Sequence, residues 1–292
     1  KPAAPASRSA AAFFLADSLD YWQRIGRWEA ASAKVHAAFP QDPEATAFYA
    51  LAHLAVAPSD ERARAHSDRA AELLLEVHER YPDHPGAMHY LVHANDAAGR
   101  ERESPDVVLK YDQSAPQNPH ALHMPGHIYA QSDKIDEAIK AFADAADNEL
   151  KWLSTDVLYP NGHHGHNVHF LVHSLNLDGR FRDSLTRVQH MMSFKETPRE
   201  RTGNSQRTPY RQGYYALVKT LVRFERWDAI LGDGSPEWND RPVERGWRAY
   251  CLGLAHLGKG NRDAARQIFA RYLTTEIPLS VSEIEPTAVS TW

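Results

Sequence analysis

Cysteine is almost absent from this chain: among its 292 residues there is one, Cys251. A single cysteine excludes an internal disulfide and a metal site built from several thiolates. Because Cys251 stands in the largely apolar segment GWRAYCLGLAHL, we expect it to be a small, buried hydrophobic residue.

Long apolar runs and basic stripes are absent as well. No run approaches the ~20 apolar residues that a membrane-spanning helix needs, so we expect no membrane span. The formal net charge is −5 and the sequence pI is near 6.4. Without a basic stripe, these values argue against a nucleic-acid partner.

Familiar catalytic motifs are missing too. The chain has no nucleophile elbow, phosphate-binding loop, HExxH helix or motif of paired carboxylates. An enzymatic activity is therefore open, and would need chemistry of another kind.

Histidine, by contrast, is concentrated in one part of the chain. Eleven of the 17 histidines lie between residues 84 and 173. Nine of these eleven fall in three segments: HPGAMHYLVHAND (84–96), HALHMPGHIYAQSD (120–133) and HNVHFLVHSLNLDG (166–179). The other two, His163 and His164, come just before the third segment. Each segment contains one HxxxH pair, and the pairs are His89/His93, His123/His127 and His169/His173.

The pairs recur at repeat spacing. The second pair follows the first by 34 residues, and the third follows the second by 46. A period of 34 residues is that of the tetratricopeptide repeat (TPR), a helix–turn–helix unit that stacks into a solenoid. The longer spacing indicates an insertion, which we place at 153–165. We expect that segment to form a loop that covers part of a groove.

These features predict an all-α protein, a right-handed TPR-like α-solenoid of helix–turn–helix pairs. The segments DEAIKAF, RDSLTRV and RDAARQIF are typical of the second helix of a repeat. We expect a single solenoid over 11–292, with its histidine-rich centre at 84–179. Residues 1–10 look like a linker or a processing remnant.

Repeat phase places the histidines on one face. Counting back from DEAIKAF puts His120, His123 and His127 at positions 2, 5 and 9 of a first helix. The same positions of the next unit hold His166, His169 and His173. Residues at these offsets lie within about 60° of one another on a helix. In TPR proteins these positions face the concave groove.

This arrangement predicts a metal site. HxxxH places two imidazoles about one turn apart, so that both can reach one ion. The predicted ligands are His89, His93, His120, His123, His127, His166, His169 and His173. They exceed the needs of one tetrahedral ion, so either one ion or several ions would bind.

Imidazole suits copper, zinc and iron, in that order of preference here, whereas calcium and magnesium prefer oxygen ligands. Met124 is a candidate soft ligand for copper, but a methionine in a helix is more often a core residue. His84, His163 and His164 are peripheral candidates. Since imidazole binds metal only when neutral, its unperturbed pKa of about 6.5 predicts metal release between roughly pH 6.5 and 5.

Two residues are candidates for catalytic or supporting roles. Asp96 could orient a ligand imidazole by accepting its second N–H. Tyr129 could act as an acid or base, although its repeat position is one where tyrosine usually packs. Tyr214 and Tyr215 are further candidates for the groove.

The histidine segments also carry a resemblance. FYALAHLAV, YPDHPGAMHYLVHA, APQNPHALHMPGHIYAQSDKIDEAI and HNVHFLVHSLNLDGR together resemble a family of bacterial TPR proteins with HPGAAHYLIHA and PHALHMPSHIF segments. The likeness covers roughly residues 40–190. It implies a TPR fold and transfers no activity.

Three hypotheses follow. The chain is a metalloenzyme, an oxidoreductase or a hydrolase, acting on a small molecule or peptide in the groove. Alternatively it is a noncatalytic metal carrier or sensor, or a TPR scaffold that binds a partner protein by a peptide. The compartment stays open between the bacterial periplasm or exterior and the cytoplasm.

Overall fold

The structure is a computed structural model that describes residues 5–14, 18–96, 100, 106–156, 159, 161–196, 208–232, 236 and 242–275. These residues contain helices and no strand, so the predicted all-α class is confirmed. The helices are α1 (Pro5–Phe14), α2 (Tyr21–Ala38), α3 (Pro43–Ala55), α4 (Ala63–Arg80), α5 (Pro85–Asn95), α6 (Tyr111–Ser114), α7 (Pro119–Gln131), α8 (Ile135–Thr155), α9 (Gly162–Leu177), α10 (Phe181–Met192), α11 (Pro209–Arg223), α12 (Trp227–Leu231), α13 (Pro242–Gly258) and α14 (Arg262–Thr275). A short 3₁₀ helix (Val108–Lys110) precedes α6.

The chain divides into two compact units, residues 1–174 and 175–292, and the division falls within α9. In the first unit neighbouring helices pack in sequence, with α3 against α4, α4 against α5 and α7 against α8. Alternate helices also touch, since α5 packs against both α3 and α7. The TPR type of stacking and the single solenoid stay predictions.

The first helix starts early. Helix α1 begins at Pro5, inside the segment 1–10 that we expected to be a linker or processing remnant.

Two of the helices that carry the histidines, α5 and α7, begin with a side-chain cap followed by proline. The Asn118 side chain accepts a hydrogen bond from the backbone N–H of His120 at 2.9 Å, and Pro119 follows it. At the start of α5 the cap is His84, whose Nδ1 accepts from the Ala87 N–H at 3.1 Å. Such caps satisfy N–H groups that the helix itself leaves unpaired. His84 therefore has a structural function at the start of α5.

One face of α5 and of α7 forms the core of the first unit. Leu91, Met124 and Ile128 are buried there against Leu73 and Leu74 of α4. Met124 is thus a core residue, as the more common behaviour of methionine suggests. The core fixes one side of α5 and α7 and leaves the histidines on another.

The contact between α7 and α8 depends on a glycine. A Cβ atom at Gly126 would lie 2.6 Å from the ring of Phe142, which is closer than van der Waals contact allows. The absence of a side chain at Gly126 lets the Phe142 ring reach α7, where it also contacts the ring of His123 at a centroid distance of 4.8 Å.

The prediction of a loop at 153–165 is wrong at both ends. Helix α8 continues to Thr155, and α9 begins at Gly162. The physical reason lies in the buried Glu149 carboxylate, which contacts both His163 and Asn167. These two residues are four apart, so a helix presents both to one carboxylate.

The second unit has its own core, which includes Tyr214, Ile230 and Cys251. Cys251 is fully buried, as its apolar segment predicts. Among the helices of the described residues, none is long and apolar enough to cross a membrane.

Candidate metal centre

Three helices of the first unit, α5, α7 and α9, bring six histidines together in two groups. The first triad is His89, His93 and His120, and the second triad is His123, His127 and His166. In each triad the ligating nitrogens lie within 4.8 Å of one another. Six of the eight predicted ligands are thus gathered into two sites.

The first triad has close contacts between its Nε2 atoms. His89 Nε2 lies 3.1 Å from His93 Nε2 and 2.8 Å from His120 Nε2. The ring of Tyr111 is stacked on His89, with centroids 5.4 Å apart and planes inclined by 3°. Tyr90, on the other side, has its ring centroid 5.2 Å from that of His89. Two phenol rings therefore border this triad.

The second triad lies in a more apolar environment. His123 Nε2 lies 2.8 Å from His127 Nε2, and the His166 ring centroid is 4.8 Å from that of His123. The ring of Phe170 contacts all three imidazoles, at centroid distances of 5.2, 4.7 and 4.9 Å from His123, His127 and His166. Phe142 also contacts His123 and His127, at ring-centroid distances of 4.8 and 5.9 Å.

Both triads are built by the same rule. Positions 5 and 9 of one helix join position 2 of the next histidine helix. In the first triad His89 and His93 of α5 meet His120 of α7, and in the second triad the α7 pair meets His166 of α9. Sequence reasoning identified the stripe on each helix and missed that the position-2 histidine belongs to the preceding helix's pair.

Two of the predicted ligands lie outside both triads. His169 and His173 occupy positions 5 and 9 of α9 and belong to neither group. His173 is exposed.

Burial favours the neutral form of five of the six triad imidazoles. It lowers the pKa of His89, His93, His120 and His166 to about 3 in each case. The pKa of the fully buried His123 is also lowered well below its usual value, for the same reason. Neighbouring imidazoles lower these pKa values further, because a second positive charge nearby is repelled. A neutral imidazole has a lone pair available for a metal ion.

A carboxylate contacts a histidine of the second triad directly, and another reaches the first triad through a further imidazole. For the second triad, Asp96 Oδ2 lies 3.0 Å from His127 Nδ1. A carboxylate at Nδ1 holds the proton there and leaves the Nε2 lone pair directed at the triad. Asp96, which we selected from the sequence, is thus placed to orient a ligand.

The carboxylate nearest the first triad belongs to Glu149, which was not among the residues selected from the sequence. It is fully buried, and its oxygens lie 2.9 Å from His163 Nδ1 and 2.6 Å from Asn167 Nδ2. His163 Nε2 in turn lies 3.4 Å from His120 Nδ1. A usable signal was present in the sequence, because Glu149 falls seven residues after Phe142 on the apolar stripe of α8. An acidic residue on a buried stripe requires partners.

The other candidates are placed as follows. Tyr129 lies under Lys134, whose Nζ is 5.8 Å from the centre of the tyrosine ring. Burial raises its pKa, with a further rise from Asp112 and Glu137. His164 is buried in the first turn of α9. Tyr214 and Tyr215 belong to the second unit.

A comparison of the chain with protein-family models finds no match, and a comparison with curated proteins finds no similar one.

Proposed function

We propose that this protein binds transition-metal ions at the two triads, one ion at each. The observation that carries the proposal is the convergence of three imidazoles, from two helices, at each of two places built by one rule. A single HxxxH pair is common on helices. Repetition of the whole arrangement supports a site more strongly than any one pair does.

The spacing of the nitrogens suits an ion. Tetrahedral zinc with Zn–N of about 2.0–2.1 Å places its ligand nitrogens about 3.3–3.4 Å apart. The Nε2 contacts of 2.8 and 3.1 Å in the first triad are slightly shorter. In the metal-free protein, a hydrogen bond in which one nitrogen donates its proton to the other accounts for such short distances. Small movements of the imidazole rings would separate the nitrogens enough to bind an ion.

The donor set favours copper or zinc, with iron third. Three imidazoles suit both copper and zinc. Non-haem iron sites commonly include a carboxylate ligand. Here the carboxylates of Asp96 and Glu149 contact histidine Nδ1 atoms and stand behind the ligands.

Three protein ligands leave a coordination position for water or substrate, the pattern of catalytic zinc sites. We therefore favour a metalloenzyme, an oxidoreductase or a hydrolase acting on a small molecule or peptide. The runner-up is a carrier or sensor, in which a further ligand closes the coordination sphere. We also propose that the helices stack as TPR-like pairs, which the 34-residue spacing and the contacts of α5 with α3 and α7 support.

Metal content tests the proposal. Protein purified without an affinity tag and dialysed against copper or zinc should hold two ions per chain, one per triad. His93→Ala and His127→Ala should each remove one ion. The matched control is His173→Ala on the exposed face of α9, which should keep both. Wild-type protein with no bound ion would refute the proposal.

A further inference from the structure

Glu149 and His163 form a chain of hydrogen bonds behind the first triad. Glu149 accepts from Tyr159 Oη at 3.0 Å, from His163 Nδ1 at 2.9 Å and from Asn167 Nδ2 at 2.6 Å. An ionised carboxylate is an acceptor only, so three donors match its capacity. The His163 proton is therefore on Nδ1.

This assignment propagates to the first triad. A single ring proton on Nδ1 of His163 leaves a lone pair on its Nε2, which faces His120 Nδ1 at 3.4 Å. His120 must then donate from Nδ1, which leaves the lone pair of His120 on Nε2. That atom lies 2.8 Å from His89 Nε2. Each neutral imidazole has one donor and one acceptor nitrogen, so the carboxylate determines the orientation of the whole series.

We propose that Glu149 is a positioning residue that acts through His163 to keep His120 in the metal-binding tautomer. The inference rests on the proposed function of the first triad. Asp96 does the same for the second triad in one step, by direct contact with His127. Glu149 of α8 thus determines the tautomer of a ligand in the first triad through the imidazole of His163. Asp96, at the end of α5, determines that of a ligand in the second triad directly.

The substitution Glu149→Gln changes the shape of the side chain little and reverses the direction of the hydrogen bonds that run from residue 149 through His163 to His120. The amide oxygen keeps the bond from Asn167, and the amide NH2 then faces Tyr159 and His163 Nδ1. His163 would move its proton to Nε2 and donate to His120 Nδ1. His120 would in turn carry its proton on Nε2, where a metal ion needs a lone pair.

Metal titration of wild-type protein, Glu149→Gln and the matched variant Asp96→Asn tests this. Removing an outer hydrogen-bond partner of a ligand typically weakens metal binding about 10–100-fold. We expect that loss at the first triad alone in Glu149→Gln, and at the second triad alone in Asp96→Asn. Equal weakening of both sites by Glu149→Gln would indicate a purely structural role and overturn the inference.

A second measurement needs no variant. Two-bond 15N–1H NMR spectra of metal-free wild-type protein report the tautomer of each imidazole. We expect both His163 and His120 to carry their proton on Nδ1, and a proton on Nε2 of His120 would overturn the inference. If wild-type protein binds two ions while Glu149→Gln binds them equally well, this inference fails and the proposed function stands. Wild-type protein that binds none refutes both.

Discussion

Acid should destabilise the metal-free protein well above the pH at which its carboxylates titrate. Burial lowers the pKa of His89, His93, His120 and His166 to about 3. The unfolded chain has histidines with a pKa of about 6.5. Below that pH the unfolded state takes up protons that the folded state does not, so the free energy of unfolding falls with falling pH. The loss begins near pH 6.5 and continues towards about pH 3.

The size of the effect follows from the four pKa values of about 3. A difference of one unit between pH and pKa corresponds to about 1.4 kcal/mol for each group. Between pH 7.5 and 5.5 each of these histidines lowers the free energy of unfolding by roughly 1.4 kcal/mol, and the four together by about 5.5 kcal/mol. Since folded domains are stable by about 5–15 kcal/mol, this is a large part of the total.

Urea unfolding of the chelator-treated protein at several pH values measures this loss. His166→Gln should reduce the pH slope by up to one proton. The control His173→Gln, at an exposed position, should leave the slope unchanged. The predicted loss is larger than the usual extrapolation error of such measurements. A free energy of unfolding that stays constant within about 1 kcal/mol from pH 7.5 to 5.5 would therefore contradict the burial of neutral imidazoles.

Burial also changes what we expect of metal release. The sequence-based window of roughly pH 6.5 to 5 assumed the unperturbed pKa of imidazole. With pKa values of about 3 in the folded protein, protons compete with the metal only at lower pH. We therefore expect metal to leave as the protein unfolds, in one cooperative step. Each bound ion should raise the free energy of unfolding by about 2.7 kcal/mol at a free metal concentration of 100 Kd, and so move the unfolding step to lower pH.

Further expectations concern packing and the second unit. Gly126→Ala forces a methyl group against the Phe142 ring and should lower the free energy of unfolding by about 1–3 kcal/mol, measured by urea titration; an unchanged value would contradict the close contact between α7 and α8. Cys251 is buried and its pKa is raised to about 12, so it should react with a thiol reagent only after unfolding, and rapid labelling of folded protein would refute this. Arg211→Met removes the cationic partner of the largely buried Glu196 carboxylate, which lies 2.8 Å away in the native protein. We expect the free energy of unfolding to fall by about 3–5 kcal/mol, measured by thermal unfolding. An unchanged value would show that the pair is dispensable.

The helical class and most of the triad residues were accessible from sequence for a simple reason. Repeat phase determines which side chains share a face of one helix, as it does for His123 and His127. It also led to Asp96, which directly follows the last residue of α5 and whose carboxylate contacts His127 of α7. These are short-range relations that a helix's period of about 3.6 residues encodes.

Which histidines form a triad depends on contacts between helices. The periodicity of one helix gives no information about these contacts, so the grouping could not be predicted from it. His166 of α9 joins the α7 pair through a contact between two helices, with its ring centroid 4.8 Å from that of His123. The role of Glu149 was hidden for the same reason. Its partners His163 and Asn167 lie 14 and 18 residues later, and His163 was expected in a loop.

Anomalous X-ray scattering from crystals grown with copper or zinc tests the central claim most directly. The account predicts two peaks per chain, one among the Nε2 atoms of His89, His93 and His120, and one among the imidazoles of the second triad. Metal peaks elsewhere in the chain, or triads that stay empty of scattering at saturating metal, would contradict it.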